Sequence, residues 1–393
     1  MMFSIIPSSL RALGRRRDAV SRHARTLFGA GRLGVDEYRQ RRTQVGRRLA
    51  DSKDELHQRL EKFASGLERM AFSEELRQLV HVAEAEEQDQ VLLTRMITRL
   101  HSQASSVRFG SFVFGPVVMR MYWHHQLADQ ALQAFRNPEL DGFFDQLTSF
   151  TLLLDLLYKQ GRYQDVLDTF DEVQTRQLHG SKYPADCVAL AMAACYQLNS
   201  AASFEYVRDL LLRLEEVGHA TSPRAVALAV ALLLRQGAPD EALRLLRRRR
   251  DTAKPLLRDL LALSLADLDR PAEAVETLGQ PLLADLPYKL RDGFAVVSDA
   301  VDRVEASVQR KNDAQVNAKW QSVKQGLQSY GLTRDATLED ALTSPILGLR
   351  KRLAPNDVGA SFNRGSAGAA HAHPARPHRH GGLMPAGQPA RPR

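Results

Sequence analysis

Two apolar segments with helical spacing flank a polar break in residues 149–173, SFTLLLDLLYKQGRYQDVLDTFDEV. Apolar side chains recur in both segments at the three- and four-residue spacing of one helix face. They are Phe150, Leu153, Leu154 and Leu157 in the first segment and Val166, Leu167, Phe170 and Val173 in the second. Gly161 stands in the break, where the C-terminus of a helix favours left-handed backbone. The pattern predicts two helices joined by a tight turn.

Similar helix pairs recur about every 35 residues. Residues 229–248, AVALLLRQGAPDEALRLLRR, place Gly237 where the first pair has Gly161, and Ala131 precedes Val166 by one period. Repeats are predicted to begin near residues 72, 112, 147, 185, 223 and 255. A helix pair buries its apolar faces against copies of itself, which gives a right-handed α-solenoid with a concave surface. We therefore predict an all-α fold.

The hydrophobic pattern divides the chain into five parts. Residues 72–290 carry the repeats, residues 36–71 form a helical lead-in, and residues 291–354 form helices that cap the array. Residues 355–393 consist mainly of Ala, Gly, Pro, His and Arg and are predicted to be disordered, as they lack the apolar content for a core. Residues 1–35 are predicted to be a targeting segment, also disordered.

The first 32 residues contain no lysine and one acid, Asp18, and their arginines alternate with apolar residues. The arginines of the first 25 residues are Arg11, Arg15, Arg16, Arg17, Arg22 and Arg25. An arginine-rich, acid-poor, amphipathic start is typical of a mitochondrial transit peptide. We expect import into the mitochondrial matrix, with cleavage near residues 28–40. The alternative is a disordered basic arm.

The formal charge of +8 is concentrated at the two ends of the chain. Residues 1–60 have a net charge of +8 and residues 355–393 of +4, so residues 61–354 have a net charge of −4. The high isoelectric point is therefore no argument that the folded body binds RNA.

The longest apolar run, Ala225–Leu234, has ten residues, whereas a membrane-spanning helix needs about 20. This run predicts a buried core helix, and the sequence predicts no membrane span.

The stretch around Gly161 resembles a pentatricopeptide repeat. It has an aromatic residue at Phe150, Lys-Gln-Gly-Arg at residues 159–162, and then Phe170 and Val173. The stretches FVFGPVVMRMYW, DGFFDQLTSFTLLLDLLYKQGRY and AACYQLNSAASFE resemble mitochondrial members of this family. The resemblance implies a protein that binds single-stranded RNA along the concave face of the solenoid, typically one base per repeat.

The family pattern implies which side chains would meet RNA. The base-reading positions correspond to Thr151 and Ser181, and Thr148 would face the base stack. A hydroxyl can donate to or accept from a base edge. The alternative for Thr151 is a hydrogen bond to the backbone of its own helix.

Other repeats fit a base code poorly, since the positions equivalent to Thr151 lie near Pro116, Ala189, Ala227 and Asp259. Contacts with phosphates and with the shape of the strand would then carry much of the affinity. The strongest basic cluster comprises Arg244, Arg247, Arg248, Arg249, Arg250, Lys254 and Arg258. Four consecutive arginines span more than one turn, which indicates a helix end. Phosphate binding and a solvated helix terminus are the two interpretations.

Motifs of catalysis are absent from the sequence. It contains no Walker A loop, GxSxG elbow, HExxH motif or Cys/His metal spacing. Residues 281–354 have no acidic cluster to hold Mg²⁺, which disfavours an appended nuclease. We expect neither an enzyme nor a cofactor or metal site.

The family resemblance implies a role in the maturation of mitochondrial transcripts, the cytochrome b message in particular, and so in respiratory-chain function. Single-stranded mitochondrial RNA would be the main partner, with the mitochondrial ribosome or RNA-processing proteins as further partners. The alternative is a structural subunit or assembly factor of the mitochondrial small ribosomal subunit. The acidic body and the poor base code favour that alternative.

Overall fold

A computed structural model describes residues 26–65, 73–104, 113–283 and 293–347. The predicted transit peptide lies outside the described residues as far as residue 25, and the predicted disordered tail, 355–393, lies wholly outside them.

The described residues fold into stacked helix pairs, which confirms the predicted all-α solenoid. The first helices of the pairs are α1 (Val35–Arg48), α3 (Ser73–Val82), α5 (Gly115–His125), α7 (Leu147–Lys159), α9 (Ala185–Leu198), α11 (Pro223–Arg235), α13 (Pro255–Asp267) and α15 (Ser298–Lys311). The second helices are α2 (Lys53–Ala64), α4 (Glu87–Ala104), α6 (Ala128–Arg136), α8 (Tyr163–Arg176), α10 (Ala201–Glu216), α12 (Pro239–Arg247), α14 (Pro271–Gly279) and α16 (Ala314–Ser329).

The first helices form one layer, because each first helix from α5 to α13 contacts the next one along the chain, ending with the contact of α13 with α15. The second helices cover one side of this layer and are amphipathic: α12 buries only Ala242, Leu243 and Leu246. The central first helices α7, α9 and α11 are buried on all sides over most of their length. In α7 every residue from 149 to 158 is buried, and in α11 every residue from 225 to 233. The sequence-based prediction of a core helix at Ala225–Leu234 is therefore confirmed.

Burial on every side requires a cover on the side of the first-helix layer that faces away from the second helices, which we call the inner face. Two terminal segments supply it: the N-terminal segment, residues 26–34, and the C-terminal segment, residues 332–347. The C-terminal segment contains β2 (Thr333–Arg334) and α17 (Leu338–Thr343). β2 pairs in parallel with β1 (Val296–Val297), and Phe28 forms a parallel bridge with Ile346. The sequence did not predict these extended pieces.

The N-terminal segment is part of the packed body, since Leu27 and Phe28 are almost fully buried and Leu33 is 4% exposed. Cleavage within residues 28–40, as expected from the sequence, would remove buried side chains. A processed chain that keeps this packing must therefore be cut upstream of Leu27.

The described ranges contain no helix that combines the length and the apolar character needed to cross a membrane.

The turns within the pairs have the backbone that the sequence predicted. Gly161 has φ +74° and Gly237 has φ +75°, both in the left-handed region. A Cβ at Gly161 would meet no atom within 4 Å, so only the backbone conformation requires glycine there.

Replacing Gly161 by alanine is expected to lower the free energy of unfolding by about 1 kcal/mol, because an L-residue is strained at this φ. The matched control is Gly46→Ala in α1, where a Cβ also meets nothing within 4 Å but the backbone is helical. That change should raise stability by up to about 1 kcal/mol. Denaturant unfolding of both variants measures the effect, and equal shifts would contradict the role assigned to Gly161.

Candidate functional site

The three hydroxyl residues proposed to meet RNA lie in different environments. Thr148 is exposed in the first turn of α7, and Ser181 is half-buried between α8 and α9. Thr151 is 8% exposed, and its hydroxyl donates to the carbonyl oxygen of Leu147 at 2.9 Å. A hydrogen bond to the backbone of its own helix was the alternative interpretation of Thr151 from the sequence. The structure does not present Thr151 to a base edge.

The residues equivalent to Thr151 in later repeats are also buried. Ala189 and Ala227 are buried, and Asp259 is buried with its carboxylate bound to Arg258. The inner face therefore offers none of these side chains to a strand of RNA.

Arg258 does not belong to a basic surface, which corrects its place in the predicted cluster. Its side chain is 2% exposed and donates to Asp259 Oδ1 at 2.7 and 3.0 Å. It also donates to the carbonyl oxygen of Phe294 at 3.0 Å. The hydrogen bonds tie α13 to the chain just before β1, so the guanidinium is structural.

Arg249 and Lys254 are held by one carboxylate. Arg249 Nε lies 2.7 Å from Asp251 Oδ1, and Lys254 Nζ lies 3.1 Å from Asp251 Oδ2. Arg249, and to a smaller extent Lys254, lower the pKa of Asp251 to about 2. Arg249 also donates to the carbonyl oxygen of Thr221 at 3.1 Å, so it joins two successive inter-repeat turns.

The remaining four arginines are exposed at the C-terminal end of α12 and in the turn after it. We call Arg244, Arg247, Arg248 and Arg250 the exposed arginine cluster. Arg247 pairs with Glu273 at 3.4 Å, and Arg248 pairs with Glu215. Neither Arg244 nor Arg250 has an ion pair with any described residue. Of the predicted basic cluster, these four arginines and Lys254 face solvent, whereas Arg249 is half-buried and Arg258 is buried.

Sequence reasoning missed a set of carboxylates on the first helices. Asp155, Asp186, Asp259 and Asp299 each accept a hydrogen bond from the N-terminal segment, the C-terminal segment or β1. The signal for Asp155 was an acid inside the apolar run LLLDLLY. Across the described ranges, no group of three or more His, Cys, Asp or Glu side chains is placed to hold a metal ion.

Asp155 is the most enclosed of these carboxylates. Its Oδ1 accepts the backbone N–H of Phe28 at 3.1 Å, and its Oδ2 accepts Nε1–H of Trp123 at 2.9 Å. Burial raises the pKa of Asp155 from 3.8 to about 6, against the opposing effect of the two hydrogen bonds. One side chain therefore joins α5, α7 and the N-terminal segment.

Asp155→Asn is expected to change the pH dependence of stability. Between about pH 4 and pH 6 the folded wild type binds more protons than the unfolded chain, so its free energy of unfolding falls as the pH rises. The asparagine variant lacks this contribution. The free energy of unfolding of the wild type minus that of the variant should therefore decrease from about pH 4 to about pH 6 and then stay constant. Urea unfolding at several pH values measures it, and a constant difference over the whole range would contradict the assignment.

Arg258→Met should lower the free energy of unfolding by about 3–5 kcal/mol, because it leaves the Asp259 carboxylate buried without its partner. Arg250→Met, at an exposed position of the same predicted cluster, should change it by no more than about 0.5 kcal/mol. Thermal unfolding compares the two. Similar effects at both positions would show that Arg258 is not structural.

The chain resembles mitochondrial proteins named for the same repeat. No protein-family model matches it. It is 29% identical to the Xenopus laevis pentatricopeptide repeat-containing protein 2, mitochondrial, over 86% of this chain and 88% of the relative. The protein of the same name is 30% identical in Homo sapiens, over 51% of each chain, and 27% identical in Danio rerio, over 74% of this chain and 72% of the relative.

These relatives carry a repeat and a compartment in their names, and no reaction. The Xenopus laevis match extends well beyond the repeats around Gly161 on which the resemblance was first based. The resemblance is confirmed: over most of its length this chain is similar to the mitochondrial pentatricopeptide repeat-containing protein 2.

Proposed function

We propose that this protein binds single-stranded RNA in the mitochondrial matrix and acts there in the maturation of transcripts, with the cytochrome b message as the first candidate. The proposal rests on the similarity to mitochondrial pentatricopeptide-repeat proteins and on the exposed arginine cluster. The observation that carries it is the pair of exposed cations, Arg244 and Arg250, that no acid in the described residues neutralises.

The exposed arginine cluster suits the RNA backbone better than the bases. A guanidinium binds a phosphate through two parallel N–H donors, and this geometry carries no base information. The ion pairs of Arg247 and Arg248 are exposed and therefore weak, so either arginine can exchange its carboxylate for a phosphate.

The exposed arginines lie at the edge of the solenoid where a second helix ends and the next first helix begins. Ser181 and exposed Lys182 occupy the equivalent turn before α9, and exposed Thr148 lies in the first turn of α7. Equivalent turns line up along a solenoid, and helix N-termini favour anions. We propose that RNA follows this edge, with phosphates at the arginines and Lys182 and with hydroxyl contacts at Thr148 and Ser181.

Reversing the two unpaired charges, Arg244→Glu with Arg250→Glu, is expected to weaken binding of a single-stranded oligonucleotide about tenfold or more and to flatten its salt dependence. The matched control is Lys311→Glu with Lys319→Glu. Both lysines are exposed in the last helix pair, Lys311 at the end of α15 and Lys319 within α16, and the control changes the net charge by the same amount. Fluorescence anisotropy at several salt concentrations measures both. Equal losses would indicate bulk charge, and no loss in either would remove the cluster from the site.

The alternative role, a structural subunit or assembly factor of the mitochondrial small ribosomal subunit, has its own support. The first helices are covered, and residues 61–354 have a net charge of −4, so protein contacts suit most of the surface. Comigration with small-subunit particles that survives high salt would favour this role. A nuclease-sensitive complex free of ribosomes would favour transcript maturation.

A further inference from the structure

Four first helices present carboxylates to parts of the chain outside the helix pairs. The carboxylate of Asp155 in α7 accepts Phe28 N–H at 3.1 Å, and that of Asp186 in α9 accepts Arg32 at 2.8 and 3.0 Å. Asp259 in α13 accepts Val297 N–H at 3.2 Å, and Asp299 in α15 accepts Leu338 N–H at 2.7 Å. Three of these contacts hold the terminal segments, and the fourth holds β1, on which β2 pairs.

Two other first helices donate hydrogen bonds to the terminal segments instead of accepting them. Arg224 in α11 donates to the carbonyl oxygens of Ala341 and, at 2.7 Å, Leu342. Arg120 in α5 donates to the carbonyl oxygen of Leu33 at 2.9 Å. Both the N–H and the C=O groups of the terminal segments thus find partners on the inner face.

The terminal segments also bind each other. Ile346 N–H donates to the carbonyl oxygen of Leu27 at 2.8 Å, and Gly29 N–H donates to the carbonyl oxygen of Ile346 at 3.1 Å. The side chains of Leu27 and Phe28 are buried against the first helices. The two ends of the described chain therefore meet over the middle of the layer.

We infer that the inner face of this solenoid is a polypeptide-binding surface, filled by the chain's own terminal segments, and that RNA does not enter it. A polypeptide supplies the donors that these carboxylates accept, a main-chain N–H at Asp155, Asp259 and Asp299 and the Arg32 guanidinium at the fourth. An RNA backbone supplies phosphates, which are acceptors and which carboxylates repel. The inference concerns a different surface from the exposed arginine cluster and does not depend on RNA binding there.

We call the packing of the two terminal segments on the inner face the closure. A swap of two charges across the closure tests the inference in the full chain. Arg32 and Asp186 suit it because their side chains are 35% and 41% exposed, so reversal of either charge should be tolerated by the core. Arg32→Asp and Asp186→Arg each place like charges together, and the double variant restores an opposite pair. Hydrogen exchange at the amides of Phe28, Gly29 and Ile346 reports the closure, since each of these N–H groups donates within it.

Each single reversal is expected to speed exchange of the three amides about tenfold, and the double variant to return it toward the wild-type rate. Affinity for an oligouridine probe should stay within about twofold in all variants, and saturating probe should leave exchange in the wild type unchanged.

Three results would overturn the inference: amides that are unprotected in the wild type, faster exchange when oligouridine is added, or about tenfold tighter oligouridine binding in the single reversals. The last two would mean that the segments hold shut a groove for RNA. If the wild type bound no RNA at all, the proposed function would fail, while amide protection and the charge swap would still decide the closure.

Discussion

The carboxylate of Asp155 is the point at which the repeats and the chain termini depend on each other. It lies in the first helix of a central pair and accepts N–H groups from Trp123 in the preceding first helix and from Phe28 in the N-terminal segment. An ionised carboxylate buried without such donors is strongly destabilising. Once the apolar face of α7 is buried, the N-terminal segment must dock. Its docking then gives Ile346 a backbone partner, which holds the C-terminal segment in place.

This dependence separates two surfaces that family resemblance treats as one. In a solenoid that reads bases, the first helices have to leave polar side chains open to the strand. Here the threonine at one corresponding position is hydrogen-bonded to the backbone of its own helix. Two others are buried alanines, and another is an aspartate paired with the neighbouring arginine. At the turns between pairs, by contrast, Arg250 and Lys182 are exposed. Recognition of a backbone at an edge is compatible with a closed inner face, whereas base reading is not.

The sequence predicted the helix pairs well because their signals are local. The spacing of Phe150, Leu153 and Leu157, and the glycine at residue 161, depend only on residues within one or two turns. The fate of individual charges depends on distant contacts. Arg258 and Arg250 stand eight positions apart in one basic run, yet one is buried against Phe294 and the other is exposed. The closure joins Phe28 to Asp155 and Leu27 to Ile346. The residues of each pair are far apart in the sequence, and a periodic hydrophobic pattern gives no information on such contacts.

The composition of the first helices did contain a clue to the closure. α11 is apolar on every side from Ala225 to Leu233, and α9 is buried from Cys187 to Tyr196. A helix that is apolar all round needs neighbours all round, and a single layer of stacked pairs leaves one side of each first helix open. Either a partner or the chain itself has to cover that side. In α7 the buried carboxylate of Asp155 selects the cover, because it requires donors, and the N-terminal segment provides one of them within the same molecule.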